Sequence, residues 1–106
     1  MEEQAKQDTQ EVGNENLVNE AFTYHLHGDN ESAIRILSEF VQRWPEHIEA
    51  NYNLAVCYRL TGQTQEAAKL FHKARSLIEK ARDDQGDLNQ RLAMLSQLID
   101  HQLALM

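Results

Sequence analysis

"YRLTGQTQEAAKLF", residues 58–71, sets one glycine between two apolar-periodic runs that hold no other helix breaker. The arrangement occurs once before, in "YHLHGDNESAIRIL", residues 24–37. Tyr24, Leu26, Gly28 and Ala33 return as Tyr58, Leu60, Gly62 and Ala67, each pair offset by 34 residues. Self-similarity at such a period marks stacked supersecondary units, in which each unit buries its apolar face against the next. Each glycine is expected to reverse the chain in a left-handed conformation, where a residue with a β-carbon costs about 1 kcal/mol or more.

Working outward, the spacing predicts five helices. The first starts near Asn14–Asn16, where an asparagine side chain can cap free N–H groups, and runs through Leu17, Ala21 and Tyr24 to Gly28. Asp29 or Asn30 caps a second helix over about 31–43, with Ala33, Ile36, Leu37, Phe40 and Val41 inward. Pro45 ends it, because proline disfavours helical geometry in the residue before it. A third helix runs from about 45–47 to Leu60, with Leu54, Ala55 and Tyr58 inward. Thr64 is expected to cap a fourth over about 65–82, which buries Ala67, Leu70, Phe71, Ala74 and Leu77. "DDQGD", residues 83–87, reads as a break, and Asp87 with Gln90 has capping-box spacing. Leu88, Leu92, Leu95, Ile99, Leu103 and Met106 then form one apolar stripe on a fifth helix. Ala21 is expected to face Ala33, and Ala55 to face Ala67, so that the paired backbones approach closely. Residues 1–13 form an acidic tail too polar to offset the entropy of ordering.

Composition narrows the function classes. The 106 residues carry a formal charge of −7, placed unevenly. Residues 1–53 hold 11 acidic and three basic side chains; residues 54–106 hold six and seven. An acidic chain suits nucleic acid poorly, because affinity for it comes largely from Lys and Arg displacing counterions. Lys69, Lys73, Arg75, Lys80 and Arg82 share their helix with Glu66 and Glu79, the pattern of a solvated face. No run of eighteen apolar residues occurs, so no membrane-spanning helix is expected. The opening "MEEQAKQDTQEVG" has no apolar run of the kind a signal peptide needs. With one cysteine as well, the reading is a cytoplasmic protein without an internal disulfide.

The repeated residues resemble the tetratricopeptide repeat. Residues 48–81 carry its pattern in Leu54, Ala55, Tyr58, Gly62, Ala67, Phe71 and Ala74; residues 14–47 carry it in Ala21, Tyr24, Gly28, Ala33, Leu37 and Pro45. Departures are Glu20 where leucine is preferred, Phe40 where a small residue is, Asn51 in place of a tryptophan and Glu79 in place of the second proline. The resemblance implies an all-α, right-handed α-solenoid: repeats over 14–47 and 48–81, then a capping helix within 82–106. At Cys57 the family favours alanine, so the resemblance makes this residue a small buried hydrophobe.

The resemblance also implies an adaptor or scaffold, with the first helix of each hairpin lining a concave groove that holds a partner protein segment. Carried over position by position, that groove comprises Glu15, Val18, Asn19, Phe22, His25 and Leu26, then Glu49, Tyr52, Asn53, Val56, Arg59 and Leu60. Helical geometry agrees: Val18 and Phe22 lie about 100–140° around from Leu17, and Tyr52 and Val56 from Asn51, giving each helix a second apolar stripe. That stripe has two readings, an open groove for a peptide or helix, or a surface consumed by self-association into a homodimer. Glu15 and Glu49 at the mouth favour an apolar partner segment with basic flanks. The family's clamp for the acidic tails of heat-shock chaperones is not matched: only Asn53 stands on one of its positions, with Val18 and Phe22 on two others.

Catalysis and metal binding find no candidates. His25 and His27 point about 200° apart on a helix, and His47 and His72 have no ligand spacing with Cys57. No glycine-rich phosphate loop, nucleophile elbow or paired carboxylates appear. No enzyme activity and no cofactor are expected.

Overall fold

The computed structural model of the protein describes residues 20, 21, 23–85 and 90–106. The expected acidic tail, the start of the first helix, Phe22 and the Asp87 cap lie outside them. Among the described residues there is no strand. Residues 20, 21 and 23–26 are helical (α1), followed by α2 (Asn30–Arg43), α3 (Ile48–Leu60), α4 (Thr64–Gln85) and α5 (Gln90–Leu105).

The repeat shows first in its turns. Gly28 and Gly62 have φ of +80° and +83°, and no other described residue has positive φ. A β-carbon at either site would meet open space, so the demand for glycine comes from the backbone angle alone. Around them the same hydrogen bonds form twice. Asp29 N donates to Tyr24 O and Gln63 N to Tyr58 O, both at 2.8 Å; Gly28 N donates to His25 O at 3.0 Å and Gly62 N to Arg59 O at 3.1 Å. These 6→1 and 5→2 bonds close each first helix in the Schellman manner.

The caps explain where helices begin. Asp29 accepts from Ser32 N at 3.2 Å and from Ser32 Oγ at 2.8 Å, which holds its carboxyl below the usual carboxylate range. His47 caps α3 by accepting from Ala50 N at Nδ1, 3.1 Å away. Only a neutral imidazole can accept there. Burial, above all, pushes the His47 pKa below its ordinary value, against the raising effect of Glu49. The unfolded chain takes up this proton near pH 6.5 while the folded chain resists it. His47 therefore contributes stability fully above that pH, and loses it as pH falls from there through the depressed folded value. His47→Asn retains a capping oxygen, so it is expected to flatten this part of the stability profile, measured by urea unfolding between pH 7.5 and about 5. An unchanged slope would deny His47 the role.

Two apolar clusters share α3. One joins Ala21 of α1, Ala33, Leu37 and Phe40 of α2, and Ala50, Leu54 and Cys57 of α3. The other joins Ala55 of α3, Ala67, Phe71, Ala74 and Ile78 of α4, and Leu95 and Ile99 of α5. Ala21 and Ala33 share the first cluster, and Ala55 and Ala67 the second, with at most 1% of each exposed. Among the departures from the repeat pattern, Phe40 is buried and packs against Trp44, tilted by 40° at a centroid distance of 4.8 Å, and edge-on against His47 at 5.0 Å. Asn51 is wholly buried; its Nδ2 donates to His47 O at 2.7 Å and to Pro45 O at 3.1 Å, tying the inter-repeat turn to α3.

Several expectations shift. Thr64 is the first residue of α4 rather than its cap, and the preceding Gln63 offers its carbonyl to Ala67 N at 3.0 Å. No break occurs at residue 83, because α4 continues to Gln85. Ile78, seven residues after Phe71, is buried, and Leu77 is only half-buried. Met106 lies past the end of α5 and is 40% exposed, so the inward stripe ends at Leu103. Ala50, Asn51 and Cys57 join the buried face of α3.

The placement of α5 matters most for function. Arg91, near its start, pairs with Glu49, near the start of α3. Gln102, near its end, borders the same cleft as Arg59 and Leu60 at the end of α3. So α5 runs parallel to α3, where the first helix of a third hairpin would lie. Asp100 pairs with Arg75 of the intervening α4.

Candidate partner-binding cleft

A cleft of about 340 Å³ lies between α1, α3 and α5. Ala21 and His25 of α1 form one side, Tyr52, Asn53, Val56, Arg59 and Leu60 of α3 the middle, and Gln102 of α5 the far side; Leu37 and Cys57 also border it. The α3 members follow from helical spacing: Tyr52, Val56 and Leu60 are four residues apart, one above the other, and Asn53 and Arg59 flank that line.

Tyr52 belongs to the core and to the cleft at once. It is half-buried, and its ring stands 5.8 Å from that of Phe71, tilted by 59°. Val56 is likewise half-buried against the second cluster. Leu60 is 47% exposed on the lip. His25 Nδ1 lies 3.0 Å from Asn30 Oδ1, which fixes the ring against the start of α2. Cys57 is 2% exposed, and burial pushes its thiol up to about 11. At neutral pH it is therefore a protonated apolar group with little nucleophilic character.

Two polar atoms in this cleft are enclosed without a hydrogen-bond partner, Arg59 Nε and Gln102 Oε1. Arg59 forms none of the ion pairs among the described residues.

Of the residues expected in the groove, His25, Tyr52, Asn53, Val56, Arg59 and Leu60 border the cleft together. Leu26 is 67% exposed beyond it. Glu49 stands away from the cleft, its carboxylate engaged by Arg91, so it is not the free acid on which basic partner flanks were expected. Glu15, Val18, Asn19 and Phe22 lie outside the described residues. Gln102 was not expected, because α5 reads from its stripe as a plain cap. Its position about 60° around from Ile99 was the available signal. His25 and His27 turn to different partners, the latter to Thr23 O at 2.8 Å. Among the described residues no three His, Cys, Asp or Glu side chains gather as metal ligands, and no helix is long and apolar enough to cross a membrane.

Two glycine-closed helical hairpins 34 residues apart, with a further helix in register beside them, define a helical-repeat protein. Its first helices share one face. The tetratricopeptide repeat model matches residues 24–99, most of the chain. The chain belongs to the tetratricopeptide repeat family, whose repeats are generally protein–protein interaction modules. No curated protein matches the sequence.

Proposed function

We propose that this protein is a non-catalytic adaptor that holds a short segment of a partner protein in the cleft between α1, α3 and α5. One observation carries the reading. The Tyr52–Val56–Leu60 line of α3 remains partly open above its own core, beside a cleft with a wall on each side. Tyr52 and Val56 spend only one side on the second cluster, and Leu60 is 47% exposed, so the line presents apolar surface to the cleft beyond what the core uses. The segment that fits is itself largely apolar. A few well-enclosed anchors are enough to dominate such an interface.

A random-peptide library displayed on phage supplies the probe, and an enriched peptide is then made synthetically. It is expected to perturb amide resonances of Tyr52, Asn53, Val56 and Leu60. Leu60→Gln leaves the fold intact, since Leu60 is half-exposed, and is expected to weaken binding about tenfold, or ~1.4 kcal/mol. Perturbations confined to the Trp44–Pro45 turn, or unchanged affinity, would contradict this placement.

The alternative is a homo-oligomer with the cleft closed in its interface. It draws on the outer face of α5, where Met94, Leu98 and Leu105 are 59%, 39% and 58% exposed. Light scattering across protein concentration separates the two readings: a monomer that takes the peptide supports the adaptor. A dimer that the peptide cannot dissociate supports the assembly unit.

A further inference from the structure

The cleft carries a charge that no described residue compensates. Arg59 is half-buried, its Nε is enclosed without an acceptor, and no carboxylate pairs with it among the described residues. The acid on the same helix, Glu49, is nearly three turns away and engaged by Arg91. In the same cleft, Gln102 Oε1 is an enclosed acceptor without a donor. A buried donor on a cation and a buried acceptor, both unused, are costly to leave unmade. They are complementary to one chemical group pair: a carboxylate and a neighbouring N–H.

We infer that the cleft recognises an internal acidic residue, Asp or Glu, set between apolar residues of the partner segment. This rests on the proposed adaptor reading and adds to it the chemistry of the partner. The Arg59 side chain turns toward the segment on binding, and the carboxylate accepts from its Nε and an adjacent guanidinium N–H in a bidentate pair. A backbone N–H of the same segment donates to Gln102 Oε1. Apolar neighbours on either side cover Tyr52 and Val56 toward one end of the cleft and Leu60 toward the other. A free chain terminus would leave one of those ends uncovered, which is why the acid belongs to a side chain within the segment. Arg59 is not a position that matches the family's chaperone-tail clamp, so the acid is gripped from a different place.

Phage selection tests this directly, because peptides displayed as internal fusions carry no terminal carboxylate. On the wild-type chain, enriched sequences are expected to share one Asp or Glu flanked by apolar residues. A synthetic copy, acetylated and amidated at its ends, is expected to shift the Arg59 Nε–H resonance and to bind at least tenfold more tightly than its Asp→Asn (or Glu→Gln) counterpart. Arg59→Gln is expected to bind both peptides equally and weakly; Arg59→Lys keeps the charge but loses the fork, and is expected to recover only part of the preference. Circular dichroism of each variant checks that the helices persist. Enrichment of apolar peptides without an acid would overturn the inference and leave the adaptor reading standing. Retention of the acid preference by a folded Arg59→Gln, or tighter binding of a free-terminus peptide than of the capped one, would also overturn it. Absence of any enriched peptide would remove both readings.

Discussion

Phe71→Ala is expected to lower the free energy of unfolding by about 3–5 kcal/mol. Phe71 is wholly buried and is the largest side chain of the cluster that α3, α4 and α5 share. Ala55, Ala67 and Ala74 in the same cluster have no side chain with which to fill the space it would leave. The cavity would therefore persist, and persistent cavities place such substitutions at the costly end of their range. Domains of this size are commonly stable by only about 5–15 kcal/mol, so the variant would retain little margin. Tyr52 would also lose the ring it leans on, and the cleft its middle wall. Denaturant unfolding of wild type, Phe71→Leu and Phe71→Ala measures this. The leucine variant is expected to fall between the other two, and a loss under about 1 kcal/mol for alanine would show that residue 71 is not core.

Ile99→Asp is the second large effect. Ile99 is fully buried on α5, in the cluster with Ile78, Ala74 and Leu95. A carboxylate there has no cation to pair with inside the cluster, and unpaired buried charge is among the few causes of losses above about 4 kcal/mol. The chain has a less costly course, which is to release α5. A free helix of 16 residues is marginal in water, so release would appear as lost helicity together with lost cooperativity. Leu98→Asp is the matched control: one residue earlier but 39% exposed, it is expected to change stability by no more than about 0.5 kcal/mol. If the two variants behaved alike, the docked face of α5 would be wrong.

The docking of α5 also marks the boundary of what could be read from residues alone. The 34-residue echo, the glycine turns and the alanine pairs were legible because each depends on a local rule. A left-handed glycine, a small residue at a close crossing and a proline after a helix each leave a signature in their own neighbourhood. Ile78 was missed and Leu77 favoured in its place, because the two are adjacent and the choice depends on how α5 lies across α4. "DDQGD" has a turn-forming composition, yet α4 runs through its first three residues to Gln85. The buried Asn51 had no apolar signal at all. Its role follows from the Pro45 carbonyl of the inter-repeat turn, which its side chain ties to the His47 carbonyl that already accepts its own backbone N–H.

The cleft was half legible. Its α1 and α3 members share faces of helices whose period was already known, so Tyr52, Asn53, Val56 and Arg59 fell out of the repeat. Its electrostatics were not legible. The acid Glu49 dominated the sequence reading, yet it is neutralised by Arg91 from 42 residues further along. Gln102 comes from a helix that the repeat pattern does not reach. With Glu49 engaged and Arg59 bordering the cleft, the partner segment we propose carries an acid rather than basic flanks.

Isotope-filtered nuclear Overhauser spectroscopy tests the central claim most directly, using the labelled chain and an unlabelled peptide enriched on it. The account predicts contacts from the peptide's apolar methyl groups to the side chains of Tyr52, Val56 and Leu60, with its acidic residue next to Arg59. Contacts confined to the Trp44–Pro45 turn or to Met94 and Leu98 on the outer face of α5 would contradict it.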